Sequence, residues 1–119
     1  MKSENILKLA ATRLDDKKAQ DIKALKVEQL TSLAEYFLIA TATSSTHVKS
    51  LCGEVEECLK ENGVEPHHTE GKTTGWIVID YGSVIVHIFT QKEREFYNLD
   101  RMWSDAEPIE LDQLNVCED

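Results

Sequence analysis

Residues 74–90 read TGWIVIDYGSVIVHIFT, and their pattern decides the fold. Two apolar runs, 76–80 and 84–89, flank Tyr81, Gly82 and Ser83, and both are rich in the β-branched residues that suit a pleated surface. The pattern predicts a β-hairpin at the middle of a sheet. With an even number of residues in the loop, Ile77, Ile79, Val84, Val86 and Ile88 share one face, and Trp76, Val78, Asp80, Ser83, Ile85, His87 and Phe89 share the other. The first face is aliphatic core. The second mixes an indole, a carboxylate and an imidazole with apolar side chains, an unusual set for filling an interior. A three-residue loop would exchange the partners, so the turn decides whether Trp76 faces the core or a docking surface.

Upstream, residues 35–41 (EYFLIAT) are nearly all apolar and too few for a helix, which predicts a central strand buried on both faces. The hydroxyl-rich run 41–46 (TATSST) precedes a helical pattern of Val48, Leu51, Cys52, Val55 and Leu59, closed by Asn62 and Gly63. Those hydroxyls read as helix caps, and the free N–H groups beneath them are also suited to an anion. At the start, Ser3 is expected to cap a helix with Ile6, Leu7, Ala10, Ala11 and Leu14 inward, followed by a short strand holding Ile22, Leu25 and Val27. Downstream, 64–70 predicts an edge strand, 71–75 a loop into the hairpin, and 93–103 a single helix with Phe96, Leu99 and Trp103 on one side. From Ser104 on, the chain has no basic residue and no sustained period, and is expected to be mobile or loosely docked. The order gives an α/β architecture with a mixed five-stranded sheet flanked by helices, a single domain over 1–104 and an acidic tail over 105–119.

Composition narrows the function. The 119 residues carry a net charge of −9, which repels phosphate backbones, disfavours nucleic acid as the main ligand and favours a basic partner. No apolar run approaches the roughly 20 residues that span a bilayer, and the charged amphipathic start lacks a signal-peptide core, so the expected location is cytoplasmic. Cys52, Cys58 and Cys117 are odd in number and lack CxxC spacing, which predicts reduced thiols. His67 and His68 are adjacent and would point to opposite faces of a strand, against a metal site with Glu70. No P-loop, dinucleotide fingerprint or Ser-His-Asp spacing occurs.

GWIVIDYGSVIVHIF followed by REFYNLDRMW is similar to the signature of the ribosomal silencing factor family, RsfS (Iojap/YbeB). The matching positions are Trp76, Asp80, Gly82, Val86, His87, Arg94, Tyr97, Met102 and Trp103. Upstream, Lys18, Ala19, Asp21 and Ile22, then Thr41, Ser44 and His47, also match. The resemblance covers residues 3–104; Ala42 departs from it, standing where members commonly have Gly.

The resemblance implies a nucleotidyltransferase-like topology and a non-enzymatic protein, without cofactor or metal. Such a protein binds the large ribosomal subunit through large-subunit ribosomal protein fourteen and blocks joining of the small subunit, lowering translation when nutrients are short. The alternative is an atypical nucleotide-binding transferase, for which Ser44 and Ser45 would hold phosphate. Gly82 stands two residues beyond Asp80, where two-metal chemistry would want a second carboxylate.

Trp76, Asp80, Tyr81, His87, Arg94 and Tyr97 are the expected partner-binding residues. Other roles stand beside that one: core filling for Trp76, turn chemistry for Asp80 and Tyr81, a hydrogen-bonded place in the sheet for His87, and organisation of carboxylates by Arg94, with Asp80 as one partner. An exposed sheet face that binds a partner can also pair with itself, so a homodimer of the free chain is a further expectation.

Overall fold

In a computed structural model, residues 2–71 and 75–110 are described. The elements run α1 (Ser3–Asp16), β1 (Gln20–Lys26), β2 (Tyr36–Ala42), α2 (Ser45–Glu61), β3 (His68–Glu70), β4 (Trp76–Asp80), β5 (Val84–Thr90), α3 (Gln91–Tyr97), α4 (Leu99–Met102) and β6 (Glu107–Ile109). They form a mixed sheet in the order β3-β4-β5-β2-β1-β6. β2 and β5 are parallel, and the other pairs are antiparallel. Every residue of β2 is buried, as its apolar run requires.

The hairpin has the register that gives two distinct faces. Trp76 pairs with Phe89, Val78 with His87 and Asp80 with Ile85. The Tyr81 N–H donates to the Val84 carbonyl at 2.9 Å, leaving Gly82 and Ser83 as a two-residue loop. Gly82 takes φ +84°, and its N–H donates to Asp80 Oδ1 at 2.7 Å. Ile77, Ile79, Val84, Val86 and Ile88 consequently pack with Leu7, Leu14, Leu51 and Leu59 of α1 and α2. Phe89, Trp76 and Ile85 lie on the opposite face with Val27, Phe37, Ile39, Leu99 and Trp103.

Three expectations need correction. The sheet has six strands, not five, because Glu107–Ile109 of the acidic segment pairs with β1. Ile109 packs against the helix-covered core, Ala106 is buried on the other side, and Pro108 is tolerated because the strand is an edge. Three residues are too few to show a period. The single helix expected over 93–103 breaks at Asn98, whose φ of +51° ends α3 and whose side chain then caps α4 by accepting from the Arg101 N–H. Ser3 is the first residue of α1 rather than its cap; Lys2 is the capping residue and its side chain makes no capping bond. α2 does start under a hydroxyl, with Ser44 Oγ accepting from the His47 N–H at 3.1 Å, and it ends at Asn62 before Gly63. Cys52 and Cys58 are both buried. Residues 72–74 of the expected loop, and Cys117 and the rest of 111–119, lie outside the described residues.

Gly82→Ala is expected to destabilise the fold by about 1–2 kcal/mol, measured by urea denaturation. An L side chain at that positive φ is strained, and the added Cβ would meet His67 Cε1 at 2.8 Å.

Candidate functional site

The site grows from the end of β5. Thr90 closes the strand by donating its N–H to the Gly75 carbonyl, and its hydroxyl accepts from the Glu93 N–H, so α3 begins without a linker. This direct junction brings Tyr97 to Trp76, with ring centroids 4.5 Å apart. Trp76 also stacks on Phe89 at 4.9 Å, and Phe96 meets Tyr97 edge-on at 5.0 Å. Phe96 is 78 % exposed, Met102 68 % and Tyr97 42 %, while Trp76 beside them is half-buried. Large apolar side chains left in water on an acidic chain are suited to docking a protein surface.

His87 lies beneath this group, between Trp76 and Phe37. The Trp76 indole Nε1–H donates to His87 Nδ1 at 3.3 Å, so the neutral ring carries its proton on Nε2. Nε2 is buried and has no hydrogen-bond partner among the described residues. The Phe37 ring meets the imidazole edge-on at 5.0 Å. Burial pushes the His87 pKa down to about 4, from an ordinary 6.5.

Arg94 acts as a tie across elements. Its guanidinium donates twice to Asp100, at 3.1 and 3.0 Å, and Nη1 reaches the Asp21 carbonyl and the Thr41 hydroxyl. The arginine holds the Asp100 carboxyl below the usual carboxylate range. The carboxylate it organises is thus Asp100, not Asp80. These bonds join α3, α4 and the two strands, and they fix where Tyr97 and Met102 project.

The structure brings Trp76, His87 and Tyr97 together, with Arg94 behind them and Asp80 at the far end of β4. Asp80 serves the turn, and its other oxygen lies 3.9 Å from His68 Nδ1. Tyr81 does not join the group. It stands on the helix-covered face, where it is buried and its hydroxyl has no partner among the described residues, because alternation in the two-residue hairpin sends it opposite to Asp80. Burial pushes that hydroxyl's pKa up.

Sequence reasoning did not name Phe96 for the docking surface; it grouped it with Leu99 and Trp103 on one side of a single helix. The break at Asn98 turns Phe96 outward, and the signal for it was the Asn-Leu-Asp start of a second helix. Leu30 and Leu33, in the loop between β1 and β2, are also exposed. Among the described residues no three His, Cys, Asp or Glu side chains are grouped to hold a metal ion, and no helix is long and apolar enough to cross a membrane.

Residues 1–119 match the family described as "Ribosomal silencing factor during starvation". The ribosomal silencing factor RsfS of Bacillus subtilis is 40% identical over 113 residues, covering 94% of this chain and 96% of that protein. The chloroplastic protein Iojap of Zea mays is 33% identical over 94 residues, 79% of this chain and 41% of its own length. A crystal structure of a protein from Chromobacterium violaceum superposes with a TM-score of 0.85 at 36% identity, covering 87% of this chain and 88% of that one.

The buried imidazole makes stability depend on pH. Between pH 6.5 and pH 4 the unfolded chain binds a proton that the native His87 does not, so unfolding is favoured as pH falls. The His87 contribution is whole above pH 6.5 and declines by up to about 3 kcal/mol by pH 4. Urea denaturation at pH 7.5 and 4.5 is expected to show this loss in the wild type and a smaller loss in His87→Leu.

Proposed function

The chain belongs to the ribosomal silencing factor (RsfS) family, and on that premise we propose that it binds the large ribosomal subunit and blocks joining of the small one. The partner is chiefly large-subunit ribosomal protein fourteen, the setting is the cytoplasm, and the outcome is lower translation when nutrients are short. The observation that carries this reading is the exposed Phe96, Tyr97 and Met102 set beside Trp76 on a chain of net charge −9. Aromatic anchors in a polar, acidic surround match what a basic protein surface needs for affinity and fast encounter. A body measuring 34 × 32 × 25 Å, seated beside an intersubunit contact, excludes the small subunit by bulk. A standard interface takes roughly 800 Å² from each partner, which leaves most of the chain as obstruction.

Relatives are named silencing factors rather than enzymes, and we read the chain as a binding protein. In this reading Trp76, Tyr97 and Phe96 are the anchors, and Asp80 offers its outer oxygen to a cationic group. Arg94 and His87 hold the anchors from behind. The same surface would be covered in a homodimer of the free chain, which sedimentation over a concentration series detects. The alternative, a nucleotide-binding protein of nucleotidyltransferase-like topology, has the polar cleft at Asp21, Lys23, Arg94 and Asp100 as its pocket. It requires a higher thermal midpoint in the presence of a nucleotide with magnesium.

Co-sedimentation with purified large subunits tests the proposal. Tyr97→Ala and Phe96→Ala are expected to keep the wild-type thermal midpoint, and together to weaken binding by about 2 kcal/mol or more, roughly 30-fold in Kd. A wild-type chain that stays in the supernatant at several-fold excess over subunits would overturn it.

A further inference from the structure

His87 occupies the middle of the sheet, paired across to Val78 on β4 and beside Ile39 on β2, where its neighbours are apolar. Thr41 and His87 are the buried polar residues among those described. Thr41 is used by Arg94, but His87 spends its Nδ1 on the indole and leaves Nε2–H buried without an acceptor among the described residues. A buried donor left unsatisfied costs stability, so an aliphatic residue of similar volume would suit the fold better. What the imidazole supplies instead is geometric. Its ring lies within 9° of the Phe89 plane, and Phe89 lies within 23° of the indole, so three rings and one hydrogen bond fix the tilt of Trp76 next to Tyr97. Without an acceptor at that point, the tilt of the half-buried indole is left to its ring contacts with Phe89 and Tyr97 and no longer to a directed hydrogen bond.

We propose that His87 is the positioning residue of the docking surface: as the Nε2–H tautomer it holds the Trp76 indole for the partner, at a net cost to the stability of the fold. The role assigned to docking rests on the reading given under Proposed function; the hold on the indole does not.

The two effects move in opposite directions, which separates positioning from packing. His87→Leu, which keeps the volume and removes both ring nitrogens, is expected to raise the thermal midpoint at pH 7.5 by about 4 °C or more. It is also expected to shift the Trp76 indole N–H resonance and speed its exchange with water, and to weaken co-sedimentation with large subunits about tenfold. His87→Asn places an amide oxygen near the position of Nδ1 and is expected to restore much of the affinity and the indole resonance. A leucine variant that binds like the wild type, or whose indole resonance is unmoved, overturns the proposal. So does one that loses midpoint and binding together, since that marks a packing role. If the wild type itself fails to co-sediment, the docking reading falls, while the indole resonance and thermal midpoint still decide whether His87 holds Trp76.

Discussion

The 2.9 Å bond from the Tyr81 N–H to the Val84 carbonyl closes the hairpin on two residues, and the division of the sheet into two unlike faces depends on it. Side chains alternate with a period of two, so a slip of one residue in the turn would turn β4 over relative to β5, which its parallel register with β2 holds in place. Ile77 and Ile79 would lose their place under α1 and α2, and Trp76 would enter the aliphatic core. Gly82 at positive φ and Asp80 accepting its N–H hold the loop at that length. One turn therefore specifies both the core and the surface that α3 completes.

The second face is assembled by tertiary ties more than by local propensity. α3 and α4 are short, and helices of that length are marginal unless anchored. Arg94 supplies the anchor by reaching Asp100, Asp21 and Thr41 from one guanidinium, while Leu99 and Trp103 pack on the sheet. With α3 fixed, Tyr97 has a defined place beside Trp76. Phe96 and Met102 remain in water, where an interior-facing helix would have hidden them. The distribution of polar groups follows the same logic. Among the described residues, the buried Tyr81 Oη and His87 Nε2 lack hydrogen-bond partners, one on each side of the sheet, and the imidazole stands directly under the aromatic group.

Much of the fold was legible because its signals are local and repeated. The apolar run of β2, the alternation of β4 and β5, and the capped, Asn-Gly-terminated α2 are all patterns of known period over seven or more residues or with defined punctuation. β6 was missed because three residues, one of them Pro, carry no period, and their pairing is set by what Ile109 and Ala106 find to pack against. The break at Asn98 was missed because a helical pattern in Phe96, Leu99 and Trp103 survives on paper across a residue that the chain turns left-handed.

The sequence by itself determined the α/β class, the central strand, the hairpin with its aliphatic and mixed faces, and, through residues such as Trp76, His87, Arg94 and Tyr97, the family resemblance. Periodicity and motif are properties of neighbouring residues, so they can be read in one dimension. The tertiary structure alone decided that Tyr81 goes inward, that Arg94 pairs with Asp100 rather than Asp80, and that Phe96 points to water. It also decided that His87 faces the Trp76 indole with one nitrogen and an apolar interior with the other. Those outcomes depend on which residues distant in sequence come within hydrogen-bonding or packing distance, and that is set by the register of the hairpin and the path of the chain beyond it.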